Sequence, residues 1–162
     1  MKIPLEFRLG GNPLKIVDQI IPRGLQYDSD EMDNILVFYV DIVDQFYEDN
    51  YNSIGYSSYA LPREMLRNAC AHGDVEEKGL HFAYFLFDRS IVIACNDYGP
   101  YFKQSQIKKK WENKIPIESK HKDADNKSIS GNNLGTSAFI YGLSSKIVVQ
   151  NGTLFVKYEI SK

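Results

Sequence analysis

Residues 63–97 read REMLRNACAHGDVEEKGLHFAYFLFDRSIVIACND, and the spacing of the apolar residues changes once along them. Up to Gly73 the period is helical. Met65, Leu66, Ala69 and Cys70 take core-like positions, while Glu64, Asn68 and His72 recur every four residues as a polar stripe two turns long. Asn is a mediocre helix former, and a merely solvated face would suit Lys, Gln or Glu better, so the stripe is a candidate for holding something. After Gly73 the pattern becomes that of strands. Leu80–Phe87 and Ser90–Asp97 are densely apolar and meet at Asp88-Arg89, which predicts a hairpin.

Upstream, Ile3–Leu9 alternates as a strand does and is broken by Gly10-Gly11-Asn12-Pro13. Leu14–Ile21 suits a short helix stopped before Pro22. Asp30–Asp49 predicts a longer helix, with Ile35, Phe38, Ile42, Val43 and Phe46 at helical spacing. Tyr51–Ser58 reads as a polar, Tyr-rich loop, and the helix carrying Glu64 then begins with Pro62 in or near its first turn. Beyond the hairpin, Gly99–Gly131 shows little apolar periodicity and predicts a long loop, sparse in packing, with one helical turn around Trp111. Leu134–Ser145 reads as a helix beginning beside glycines. Lys146–Gln150 and Thr153–Ser161 form a second hairpin, closed at Asn151-Gly152 by a type I′ turn. The expected architecture is one α+β domain over residues 1–162: a two-layer α/β sandwich, its sheet mostly antiparallel and its helices on one face.

Composition limits the function classes. Of 162 residues 43% are hydrophobic and 13% aromatic, which is globular rather than disordered. A formal net charge of −2 argues against an obligate nucleic-acid binder. No apolar run approaches a membrane span, and the N-terminal residues lack the apolar stretch of a secretory leader. Cys70 and Cys95 fall in core segments, which suits reduced thiols in a cytoplasmic protein better than a disulfide. The charge is unevenly spread. There is no Lys or Arg between Arg23 and Arg63, whereas Lys103–Lys127 holds eight lysines against Glu112, Glu118, Asp123 and Asp125. Both segments read as solvated faces, and they also suit partner surfaces of opposite sign.

Three spots surround the long loop and carry the chemistry. One is Glu64-x-x-x-Asn68-x-x-x-His72-Gly73. The second is NDYGPYF, where Asp97 ends an apolar strand and Gly99 turns the chain away. The third is SGNNLGTSAF, where Gly131 and Gly135 bracket a helix start. An acid leaving a buried strand can accept a hydrogen bond from the amino group of a ligand base. Glycines at a helix N-terminus let backbone N–H groups approach phosphate oxygens. An Asn side-chain oxygen suits Mg²⁺, which takes few protein ligands. Blander roles exist for each: Asp97 as a turn carboxylate, Glu64 and His72 as partners of the helix dipole. His81 and His121 form no ligand pattern with the cysteines, so no transition-metal site is expected. Trp111 beside Lys108–Lys110 suits a helix packing one aromatic better than a nucleic-acid surface.

Taken in order, EMLRNACAHG, NDYGPYF and GNNLGTSAF resemble the N box and the two glycine boxes of the GHKL superfamily, the histidine-kinase-like and gyrase-like ATPases with the Bergerat nucleotide fold. The likeness runs from about Ala60 to the C-terminus. The wording Glu-x-x-x-Asn-x-x-x-His-Gly is closest to the anti-sigma-factor serine kinases. The resemblance implies ATP and Mg²⁺ as cofactors, with Asn68 as the metal ligand and Asp97 accepting from the adenine amino group beside Gly99. It implies Gly131, Leu134, Gly135 and Thr136 along the phosphates at the base of an ATP lid. It makes Glu64 the general base and leaves His72 a supporting role. The implied activity is a small regulatory serine/threonine kinase or slow ATPase acting on a protein partner, with a homodimer as one form. Two departures favour the alternative, a non-catalytic regulatory module that docks a partner. Tyr101 stands where the first box has its second glycine, and Asn132-Asn133 where the second box has a middle one.

Overall fold

The computed structural model describes residues 1–47, 55–115 and 140–160, the side chains of residues 55–58 excepted. Five strands form one antiparallel sheet in the order β1-β2-β3-β5-β4: β1 Lys15–Ile21, β2 Leu80–Leu86, β3 Ser90–Asn96, β4 Lys146–Gln150 and β5 Thr153–Glu159. The helices are α1 Asp30–Tyr47, α2 Gly55–His72, α3 Val75–Lys78 and α4 Ser105–Glu112, with residues 140–143 also helical. The chain is α+β, as its period change predicts.

Strand alternation sends each strand's residues to two sides. Phe82, Tyr84 and Leu86 of β2, Ile91, Ile93 and Cys95 of β3, and Leu154, Val156 and Tyr158 of β5 pack with Met32, Leu36 and Tyr39 of α1, Leu61, Met65 and Leu66 of α2, and Trp111 of α4. The opposite side carries Ala83, Phe85, Val92, Ala94, Val148 and Phe155, covered by Ile3 and Phe7. Tyr39 Oη donates to the Phe82 carbonyl at 2.9 Å, whereas the buried hydroxyls of Tyr84 and Tyr158 find no hydrogen-bond partner among the described residues. The hairpin turn at Asn151-Gly152 has φ of 52° and 74°, as a type I′ turn requires.

Four local expectations are corrected. Ile3–Leu9 is no strand but a 3₁₀ turn at Leu5–Phe7, because Ile3 and Phe7, four apart, point together onto the sheet while Leu5 and Leu9 stay exposed. Leu14–Ile21 is not a helix. Lys15–Ile21 pairs with β2 from Lys15↔Leu86 to Ile21↔Leu80, and its β-branched Ile16, Val17, Ile20 and Ile21 suit that strand. Gly55–Ser58, placed in a loop, belong to α2, so Pro62 lies inside the helix rather than in its first turn. There it removes one helical hydrogen bond. The stretch after Gly99 is better packed than its composition suggests: a 3₁₀ turn at Tyr101–Lys103 and α4 bury Phe102 and Trp111. The helix expected at Leu134–Ser145 is present at 140–143 and stops before Ser144; its earlier residues lie outside the described ones. Cys70 and Cys95 are both free thiols.

Candidate functional site

The end of α2 and the end of β3 meet where Gly73 leaves room for the Asp97 side chain. The Asp74 N–H donates to the Asp97 carbonyl at 3.0 Å, tying the exit of the helix to the exit of the strand. A Cβ on Gly73 would stand 2.4 Å from Asp97 Cβ, 2.5 Å from its Cγ and 2.7 Å from the Ala69 carbonyl oxygen. A Cβ on Gly99 would stand 3.0 Å from Gly73 Cα and 3.3 Å from Asp97 Oδ1. The sequence marks Gly73 only as a helix stop. It does not adopt a left-handed φ, so the requirement is for space rather than backbone freedom.

Asp97 is 1% exposed. Its two oxygens differ. Oδ1 accepts from the Gly99 N–H at 3.0 Å, the local bond of a turn carboxylate. Oδ2 is buried without any hydrogen-bond partner. Burial raises the Asp97 pKa to about 6; hydrogen bonds from the backbone N–H groups of Gly99 and of Asp97 itself oppose the rise, and Asp74 adds to it. The preceding Asn96 makes the same kind of turn, accepting from the Tyr98 N–H at 2.9 Å, and holds Tyr98 at a φ of 56°. Two successive side-chain acceptors thus turn the chain sharply off β3 and leave Asp97 Oδ2 free for a donor.

Asn68 stands one turn before His72 on α2 and is 7% exposed, an uncommon burial for an amide. Among the described residues no side-chain hydrogen bond holds its carboxamide. Helical spacing sets Asn68 on the same side of α2 as His72, one turn further on. The His72 ring stacks on Tyr101, with centroids 5.8 Å apart and planes 16° from parallel. Tyr101 in turn starts a row of edge-to-face rings, Phe102, Trp111 and Tyr141, and the Tyr141 hydroxyl donates to the Ile115 carbonyl at 2.9 Å. Tyr101 is thus a packed side chain in a row of rings that runs from His72 of α2 to Tyr141.

Glu64 has a different setting. Its Oε1 accepts from Arg67 Nη1 at 3.0 Å, and Arg63 approaches to 3.9 Å. Arg67 also reaches Asp28 at 3.1 and 3.2 Å and lies 5.1 Å over the Tyr27 ring. Asp28 takes a left-handed φ of 51° at this clamp. Sequence reasoning missed Arg67, Asp28 and Tyr27 because a contact across 39 residues leaves no local signal. The geometry is a satisfied ion-pair cluster, with Glu64 one of its two acids.

Gly131, Leu134, Gly135 and Thr136 lie outside the described residues. The chain on either side of them is held together: besides the Tyr141–Ile115 bond, Lys114 Nζ donates to the Ser144 carbonyl at 2.5 Å. Among the described residues no cluster of three or more His, Cys, Asp or Glu side chains is placed to hold a metal ion by itself. A cation there would rely on ligands of other kinds, such as the Asn68 amide oxygen and the oxygens of a bound anion. No helix among the described residues is long and apolar enough to cross a membrane. Set against known protein families and against curated proteins, this chain matches none, and its reading rests on its own residues.

Proposed function

We propose that this chain is an adenine-nucleotide-binding domain of the GHKL type, with a Bergerat fold, that takes ATP with Mg²⁺ and acts on a protein partner as a slow serine/threonine kinase or ATPase. The observation that carries the reading is the pairing of Asp97 Oδ2, buried and unpartnered, with two glycines whose lack of side chain lets α2 close on it. A buried acceptor without a donor is costly to keep, and a base amino group is the donor this position suits. Asn68 would supply the amide oxygen for the metal, which neutralises phosphate charge when bound. This chain's own contribution would be positioning: the Gly73–Asp97–Gly99 contact fixes the acceptor, and α2 fixes Asn68 relative to it.

Glu64 is the residue proposed as general base, and its Arg67 partner is the reason to expect slow chemistry. With Oε1 held by the guanidinium, only the second carboxylate oxygen of Glu64 is left to accept a proton, in a direction the ion pair fixes. That pairing, together with Tyr101 in place of a glycine, also favours the second reading, a regulatory module that binds nucleotide and docks a partner without turnover. Single-turnover assays with labelled ATP and candidate partners separate the two. Transfer or phosphate release that Glu64→Ala abolishes supports the enzyme. Nucleotide binding with no turnover under any condition supports the module.

A further inference from the structure

Helix α1 is pinned to the sheet by two phenols. Tyr39 Oη donates to the Phe82 carbonyl at 2.9 Å, and Tyr47 Oη reaches the carbonyls of Phe87 at 2.5 Å and Ser90 at 3.3 Å. Two more phenols, Tyr84 of β2 and Tyr158 of β5, belong to the core that α1 covers and are 0% and 3% exposed. Neither of their hydroxyls has a hydrogen-bond partner among the described residues. Phe would supply the same ring without a hydroxyl to desolvate, and this sheet uses Phe at Phe82, Phe85 and Phe155. Two buried hydroxyls left over in an otherwise apolar core are therefore a feature to be explained.

The strand register relates the two groups. Tyr84 stands opposite Ile93 and Tyr158 opposite Ile91, so they flank β3 on the side that faces α1. Their backbones are two strand spacings apart, roughly 10 Å, with a further offset along the strands. Burial raises the Tyr84 pKa well above the ordinary phenol value, and the Tyr158 phenol is the next contributor, so the two side chains lie within electrostatic reach of each other. They do not bond directly. The Tyr39 ring lies 4.4 Å from the Tyr84 ring, and its hydroxyl, having given its proton to the Phe82 carbonyl, keeps lone pairs to accept with.

We infer that Tyr84 and Tyr158 hold one buried water between them, beneath α1, as an internal site that links β2 to β5 across β3. A water can accept from both phenols at once, and its own protons turn to oxygens of the same cluster, the Tyr39 hydroxyl among them. That gives it about three hydrogen bonds, the usual complement of a buried water. A larger ligand has no way into groups this buried, and a metal ion would need charged ligands: among the described residues no set of acids, histidines or cysteines is placed to supply them. The site is independent of any nucleotide.

A crystal structure of the full chain that orders internal waters tests the inference, together with urea unfolding of Tyr84→Phe, Tyr158→Phe and the double variant. A water within hydrogen-bonding distance of both hydroxyls is expected. Each single variant should lower the unfolding midpoint, because the water loses a partner. The double variant should lose less than the sum of the two, because the second hydroxyl then has no shared water to give up. A direct bond between the phenols, a water touching only one of them, or no water at either overturns the inference. So do losses that simply add, or single variants that raise the midpoint, as removal of a hydroxyl buried without any partner would.

Discussion

The two ends of the polar stripe on α2 are built on opposite principles. Past its C-terminal end, Gly73 packs on Asp97, whose Oδ2 is buried without a hydrogen-bond partner. At its N-terminal end, Glu64 is part of an ion-pair cluster in which Arg67 serves both Glu64 and Asp28. Groups buried without partners lower stability and are retained where a ligand will satisfy them. Groups already paired at a partly exposed surface contribute little either way. One end of α2 thus meets a buried, unpartnered oxygen, and the other end is engaged in ion pairs within the protein.

The largest effect expected from breaking this contrast is at Gly73. Gly73→Val places a branched side chain where even a Cβ stands 2.4 Å from Asp97, so helix and strand must separate. A loss of about 1–3 kcal/mol or more is expected from overpacking, read as a lower midpoint in urea, together with loss of nucleotide binding. An unchanged midpoint would show that the junction is soft.

Asp97 gives the next effect, and one with a sign. Its folded pKa of about 6 lies above the unfolded value of 3.8, so between these the folded state holds more protons than the unfolded state. Stability contributed by this group is therefore full below about pH 4 and falls as pH rises through 6, by about 2–3 kcal/mol in all. Asp97→Asn keeps an oxygen for the Gly99 N–H and cannot ionise. Its stability relative to wild type should rise between pH 4 and 7. A difference between the two proteins that does not change with pH would remove the burial argument.

Asn68→Ala comes third. It should leave the fold within about 1 kcal/mol of wild type, because no protein hydrogen bond is lost, while abolishing the dependence of nucleotide affinity on Mg²⁺. An equal Mg²⁺ effect in wild type and variant, measured by calorimetry with and without the ion, would displace Asn68 from the metal. The smallest effects belong to the other end of the stripe. Arg67→Ala should cost no more than about 1 kcal/mol and leave nucleotide affinity unchanged, since its partners are partly solvated. If Glu64 is the base, freeing it in this way raises turnover and Glu64→Ala lowers it by ~10²–10⁴-fold. Turnover that ignores both substitutions would assign Glu64 to the ion-pair cluster alone.

What the sequence reveals follows the same division between local and distant causes. The period change at Gly73, the two hairpins and their turns, and the long helix α1 depend on near neighbours and are legible as written. Lys15–Ile21 is misread as a helix because its pairing with β2, from Lys15↔Leu86 to Ile21↔Leu80, is distant in sequence, and only that pairing selects the strand. Ile3 and Phe7 are misread for a similar reason: the surface they cover is made by residues 83–155. At the candidate site, Asn68 is legible from helical spacing, and Asp97 with Gly99 from the end of an apolar strand. The closeness of Gly73 to Asp97 and the capture of Glu64 by Arg67 are consequences of packing, which spacing does not encode.

Asp97 Oδ2, as the acceptor for an adenine amino group, is the centre of the proposed site. Calorimetric titration of wild type and Asp97→Ala with ATP in the presence of Mg²⁺ at pH 7.5, with GTP as comparison, addresses it directly. The wild type should bind ATP and not GTP, whose base presents a carbonyl oxygen at the corresponding place, and the variant should lose ~5- to 150-fold in affinity for the 1–3 kcal/mol of a buried acceptor's bond. Equal ATP affinity in wild type and variant, or no binding of either nucleotide to the wild type, would contradict it.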